Sequence, residues 1–252
     1  MHSPGKYYLN FSPKIQPPLT PMFIPIHDKN PLTIVAFQFV TIFFMLSCIG
    51  IFMWQLSLSE QAASYASFIF GMVPSVLLNL HSLPVEVDLL PAEFTLLSYM
   101  FLHGSWFHLL GNMLFLWVFG DNIEDSMGHL RFIAFYLLCG IAGGLLHGVM
   151  QPNSDLPLIG ASGAIAGLLG AYLMLHPRVK VLVLLFSRIP LRLPAYLLIL
   201  MWGLLQGYSL LNASDSNNTA WWAHIGGFIA GVVLIVPMKY KTVQLFDRGV
   251  EH

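Results

Sequence analysis

Charge is what this sequence has least of. Only 9% of its 252 residues are Asp, Glu, Lys or Arg, while 56% are hydrophobic and the mean hydropathy is +0.71. Soluble domains carry about 25% charged residues. A chain this poor in charge cannot cover a water-exposed surface, so it reads as a membrane protein with the lipid bilayer as its surroundings. Its net charge of −1 offers no electrostatic support for nucleic acid, and no such partner is expected. Cysteine is scarce as well. Cys48 and Cys139 lie inside apolar runs and form no C-x-x-C pair, which excludes a disulfide framework and a cysteine-rich zinc site. No H-E-x-x-H occurs, so a zinc intramembrane protease is disfavoured. Neither a metal nor a cofactor is expected. The proline-rich N-terminus lacks a basic start followed by a short apolar core, so no removable signal peptide is expected.

What the sequence has in plenty is long apolar runs. A spanning helix needs about 20 such residues. Six candidates follow, at 32–56, 106–126, 129–150, 159–176, 193–212 and 219–238. Between the first two, residues 57–105 are apolar but interrupted by Pro74, Pro84 and Pro91, and read as a long loop with short helices at the membrane interface. Residues 1–31 and 239–252 are tails. The eleven basic residues then sort by side. Lys6, Lys14 and Lys29 precede the first span, and Arg131 separates the second from the third. Arg178, Lys180, Arg188 and Arg192 separate the fourth from the fifth, and Lys239, Lys241 and Arg248 follow the sixth. All fall on one side of a six-span arrangement; the other side holds Glu60, Glu86, Asp88, Glu93, Asp155 and Asp215. Basic loops stay in the cytoplasm. The expectation is an all-α, six-helix membrane bundle with both termini cytoplasmic.

Orientation sets depth. Ser162 begins the fourth span just below the outer surface, within Gly160-Ala161-Ser162-Gly163. His224 lies a few residues into the sixth span from the same side. His108 and Asn112 open the second span four residues apart, on one helix face. Ionisable residues inside a membrane are functional candidates. Gly163 and Gly167 give the fourth span a small-residue stripe, and His224, Gly227 and Gly231 share a face of the sixth. Such stripes let helix backbones approach closely in lipid. If the two faces pack, the imidazole reaches the hydroxyl and can take its proton during nucleophilic attack. The free N–H groups of a helix N-terminus at Ser162 would favour a developing oxyanion, and His108 and Asn112 would add donors. No acid is placed to orient His224, so the arrangement is a dyad rather than a triad.

At these residues the sequence resembles the rhomboid intramembrane serine proteases. The matching pieces are His108-x-x-x-Asn112, Gly160-x-Ser162-Gly163, Ala223-His224-x-Gly226-Gly227 and Gly120-x-x-x-Glu124-x-x-x-Gly128, with His103 as the loop histidine ahead of the second span. The resemblance covers about residues 32–238. It implies Ser162 as nucleophile, His224 as general base, and His108, Asn112 and the Ser162 amide as the oxyanion hole. Substrates would be transmembrane proteins cut at or near their outer membrane boundary. His103, Gly160, Gly163 and Gly227 would be structural neighbours of the site. Two positions depart from the pattern. Ala166 stands where many members carry an aromatic residue against the histidine, and the Trp-Arg pair of some first loops is absent.

The remaining polar residues read more plainly. His147 reads as a polar packing residue in the third span, Glu124 as an anchor at the inner end of the second, and His81, His129 and His176 as interfacial. The sequons at Asn212 and Asn217 carry no weight. A catalytically silent rhomboid-like protein that binds membrane clients is the alternative function, although such members typically lose the serine or the histidine. Haem ligation by His108 and His224 would leave the GxSG run and Asn112 unexplained. The short tails suggest a bacterial inner-membrane protein.

Overall fold

The computed structural model describes residues 23–185, 188–211 and 220–247. Lys6, Lys14, Asp215, Arg248, both sequons and most of the N-terminal tail lie outside them. The described chain is mostly helical. A first long helix, α1 (Phe39–Ser57), is followed by short pieces: α2 (Glu60–Phe70), α3 (Pro74–Leu77), α4 (Thr95–Ser98) and two 3₁₀ turns. The prolines at 74, 84 and 91 keep this stretch from forming one helix, since each removes an N–H and clashes with the preceding turn. The bundle continues with α5 (Trp106–Met127), α6 (His129–Met150), α7 (Ser162–Leu175), α8 (Ala195–Leu211) and α9 (Trp221–Met238). Ser105 caps α5, its hydroxyl accepting the His108 N–H at 3.2 Å. Gly128, at φ +80°, reverses the chain between α5 and α6.

Three helices, α1, α6 and α9, are long and apolar enough by length and composition to cross a membrane. The chain is thus an integral membrane protein by its apolar helices. The predicted fourth span differs from what forms. Helix α7 has 14 residues, about 21 Å at 1.5 Å per residue and short of a 30 Å hydrocarbon core. Its start is delayed because Leu158 is still extended, exchanging backbone hydrogen bonds with Met72, and Gly160 turns at φ +118° before the helix begins.

A small sheet corrects the all-α expectation. Strands β1 (Phe23–Asp28), β2 (Lys180–Leu185) and β3 (Ile189–Pro194) form an antiparallel sheet in that order. Val181 and Val183 are buried while Lys180 is exposed, the period-two pattern of a half-covered strand. The bundle thus has a sheet end and a serine end, with every described Lys and Arg at the sheet end.

Buried acids hold the sheet end together. Glu124 accepts hydrogen bonds from Val40 N, Thr41 N and Thr41 Oγ1 at 2.7–3.0 Å and faces His129 Nδ1 at 2.6 Å. Asp125 accepts from Thr33 N, Thr33 Oγ1, Ile34 N and Val35 N at 2.6–2.9 Å. Asp28 accepts from Asn122 Nδ2 at 3.0 Å and from the Tyr172 hydroxyl, and burial pushes its carboxyl above the ordinary 3.8 against the Tyr172 bond. Residues 33–35 are non-helical because Asp125 takes their N–H groups, which is why α1 starts later than its apolar run.

Candidate active site

Helices α6, α7 and α9 pack backbone against backbone, and glycine makes this possible. A methyl group at Gly227 would stand 1.8 Å from the Gly163 carbonyl oxygen, and one at Gly231 would stand 2.0 Å from that of Gly167. A methyl at Gly143 would meet the Ala223 carbonyl oxygen at 2.6 Å. No side chain separates α7 from α9 at these levels, so residues beside the glycines come within reach of one another.

Ser162 is the first residue of α7 and His224 lies in the first turn of α9. Ser162 Oγ and His224 Nε2 are 2.8 Å apart. His224 is buried and Ser162 half-buried. The first N–H groups of α7 have no acceptor inside the helix, whose ladder begins with Ile165 N donating to Ala161 O.

His108 and Asn112 reach the same turn from α5. A methyl at Gly160 would lie 2.5 Å from His108 Nε2 and 3.7 Å from Asn112 Nδ2. Glycine is required there twice over, by the close approach and by φ +118°. His103 stands behind Asn112. Its Nε2 accepts from Asn112 Nδ2 at 3.0 Å, its Nδ1 donates to Phe101 O at 3.2 Å, and its backbone N–H is held by Gln55 Oε1 at 3.0 Å. Burial holds the His103 pKa down to about 3, with nearby His108 adding to the effect and the Phe101 carbonyl opposing it. A neutral ring with its proton on Nδ1 fits both bonds and aims the Asn112 amide.

Sequence reasoning missed Tyr99. It is fully buried, donates its hydroxyl to Gly140 O at 2.7 Å, and its carbonyl accepts the Gly160 N–H at 2.9 Å. It ties the loop before α5 to the turn that presents Ser162. Its role is purely tertiary, and no motif signals it. The aromatic support for His224 also lies elsewhere in sequence. Ala166 is buried, and the rings against His224 are Trp202 of α8, with centroids 5.8 Å away, and Trp221, one turn earlier on α9, at 6.0 Å. Between α8 and α9 an apolar cleft of about 570 Å³ opens beside His224, lined also by Gly203, Gln206, Gly207 and Phe228. Among the described residues no group of three or more His, Cys, Asp or Glu is placed to hold a metal ion.

Residues 91–241 match the rhomboid domain family. The chain belongs to the rhomboid family. Among relatives, RHOMBOID-like protein 5 of Arabidopsis thaliana is 32% identical over 59% of this chain and 46% of its own length. The rhomboid protease GluP of Bacillus subtilis is 35% identical over 61% of this chain and 27% of its own. Rhomboid protein 1, mitochondrial, of Saccharomyces cerevisiae is 32% identical over 40% of this chain and 31% of its own. The match to this rhomboid thus spans less than half the length of each of these relatives.

Proposed function

We propose that this rhomboid is an intramembrane serine endopeptidase that cuts transmembrane proteins near their outer membrane boundary. The observation that carries the reading is the 2.8 Å approach of Ser162 Oγ to His224 Nε2, at the turn His108 and Asn112 also reach. Ser162 attacks the scissile carbonyl carbon while His224 Nε2 takes its proton. The oxyanion is met by the Ser162 N–H, the Asn112 amide and an Nε2-protonated His108. His224 then gives its proton to the leaving amine, and water releases the acyl group by the reverse use of the same base. The apolar cleft beside His224 suits an apolar substrate segment arriving from lipid.

The proposed arrangement has six spans with both termini cytoplasmic, supported by the basic residues at the sheet end and the acidic Glu60, Glu86, Asp88, Glu93 and Asp155 at the serine end. A bacterial inner membrane is the proposed compartment. Relatives named for mitochondria and chloroplasts make fractionation of the source cell the check on it.

The reading is tested with a single-span reporter whose outer segment is small and helix-weakening, reconstituted with wild type, Ser162→Ala and His224→Ala. Cleavage by wild type and a loss of about 10⁴-fold or more in each variant is expected. Cleavage that survives Ser162→Ala overturns the reading. An inactive wild type that also fails to react with a fluorophosphonate probe favours the client-binding function.

A further inference from the structure

The dyad leaves one atom without a role. If His224 Nε2 is to accept the Ser162 proton, the proton of the neutral ring sits on Nδ1. That Nδ1 is buried and has no hydrogen-bond partner among the described residues. Two more buried nitrogens in the same condition lie at the same end of the bundle, His147 Nδ1 on α6 and Trp221 Nε1 on α9. Buried polar groups in folded proteins are nearly always paired with protein or ordered water.

The helix geometry gathers them. Gly143 lies one turn before His147 on the same face of α6. A methyl there would meet both the Ala223 carbonyl, next to His224, and the Gly163 Cα at 3.5 Å, next to Ser162. On the neighbouring seam, a methyl at Gly226 would meet Leu146 Cβ at 2.8 Å. The face that carries His147 therefore looks at the place where α7 begins and α9 holds His224. His147 is within electrostatic reach of His224, as is His108. Among the described residues the titratable groups facing His224 are Ser162 on α7, His108 on α5 and His147 on α6, while α8 presents the neutral Trp202. None of these is a carboxylate.

We propose that His147 is a positioning residue for His224, holding the His224 Nδ1–H through one shared water. The water accepts from His224 Nδ1–H and Trp221 Nε1–H and donates to His147 Nδ1, so three buried nitrogens are satisfied by one molecule. The link fixes the His224 tautomer with the Nε2 lone pair toward Ser162. It takes the place of the acid that orients the imidazole in a triad. The inference rests on the dyad reading above and assigns His147 more than packing.

The test measures the rate of fluorophosphonate labelling at Ser162 between pH 5 and 9 in the full chain, for wild type, His147→Leu and His147→Gln, with thermal unfolding of each. Glutamine keeps an acceptor for the water; leucine does not. His147→Leu is expected to label about 10-fold to 100-fold more slowly, the range found when the hydrogen-bond partner behind a metal-bound histidine is removed, and with a displaced pH profile. His147→Gln should recover most of the rate. Equal rates in all three overturn the inference and leave the dyad standing, as do equal losses in Leu and Gln variants of wild-type stability. Failure of the wild type to label removes the dyad reading and this inference with it.

Discussion

The two ends of this bundle bury polar groups in opposite ways. At the sheet end Glu124 and Asp125 each collect four partners within 3.0 Å, all from the segment before and at the start of α1 except His129 of α6. At the serine end His224, His147 and Trp221 keep buried nitrogens with no hydrogen-bond partner among the described residues. A saturated acid has nothing left to offer and serves as an anchor. An imidazole with a free nitrogen retains the capacity to move a proton. The lesson is that polarity inside a membrane protein divides by satisfaction, and that the unsatisfied end is where chemistry is to be sought.

The comparison is broken most severely by emptying an anchor. Glu124→Ala leaves Val40 N, Thr41 N and the Thr41 hydroxyl without their acceptor, and should cost about 3 kcal/mol or more of stability, read as a large fall in thermal midpoint in detergent. At the serine end the reverse pattern is expected. Asn112→Ala orphans His103 Nε2 alone and should lower the midpoint less than Glu124→Ala does, yet slow reporter cleavage by about 100-fold or more, the loss typical of one oxyanion donor, with KM little changed. If Asn112→Ala unfolds the protein instead, the contrast between the ends fails.

A subtler probe uses His103, which couples the two behaviours. Its folded pKa of about 3 lies below the unfolded value of 6.5, so protonation favours the unfolded chain. Its contribution to stability is complete above pH 6.5 and is lost as pH falls from 6.5 toward 3, by about 1.4 kcal/mol per pH unit. Unfolding midpoints at pH 7 and pH 5 should therefore differ more in wild type than in His103→Gln. Smallest of all is Asp155→Asn. Ser75 and His81 hold its carboxyl below the ordinary 3.8, but the Asp155 and His81 side chains are 63% and 55% exposed. Solvent screening then limits the change to about 0.5 kcal/mol, and a larger loss would show that the serine end has an anchor of its own.

Much of the site could be read in one dimension because polar and small residues stand out in apolar runs. Ser162, His224, His108 and Asn112 are conspicuous there, and the glycines beside them are the ones that meet across the α7–α9 seam. Cys48 and Cys139, read as buried thiols, are buried and free. What escaped was whatever depends on a distant partner. Lys180–Leu185 alternates buried and exposed residues, but its basic neighbours disguise it as a loop, and β1 pairs with it from more than 150 residues away. The tie from Asp125 to residues 33–35 shortens α1, and neither end betrays it alone. Tyr99 looks like any interfacial tyrosine until its carbonyl meets the Gly160 N–H. Trp202 of α8 sets its ring 5.8 Å from that of His224, an aromatic contact from another helix that no local pattern records. His81, His129 and His176 read as solvated interfacial rings, yet each faces a carboxylate: Asp155, Glu124 and Asp247.

On the proposed protease reading, the glycine seam between α7 and α9 has a consequence for how the substrate range changes. Where backbones touch, there are no side chains to swap, so the alignment of Ser162 with His224 is inherited from the chain itself. Residues of α8 along the cleft, such as Gly203, Gln206 and Gly207, take no part in that seam. On that reading they are free to vary and alter which client is admitted, while the Ser162–His224 alignment stays in register.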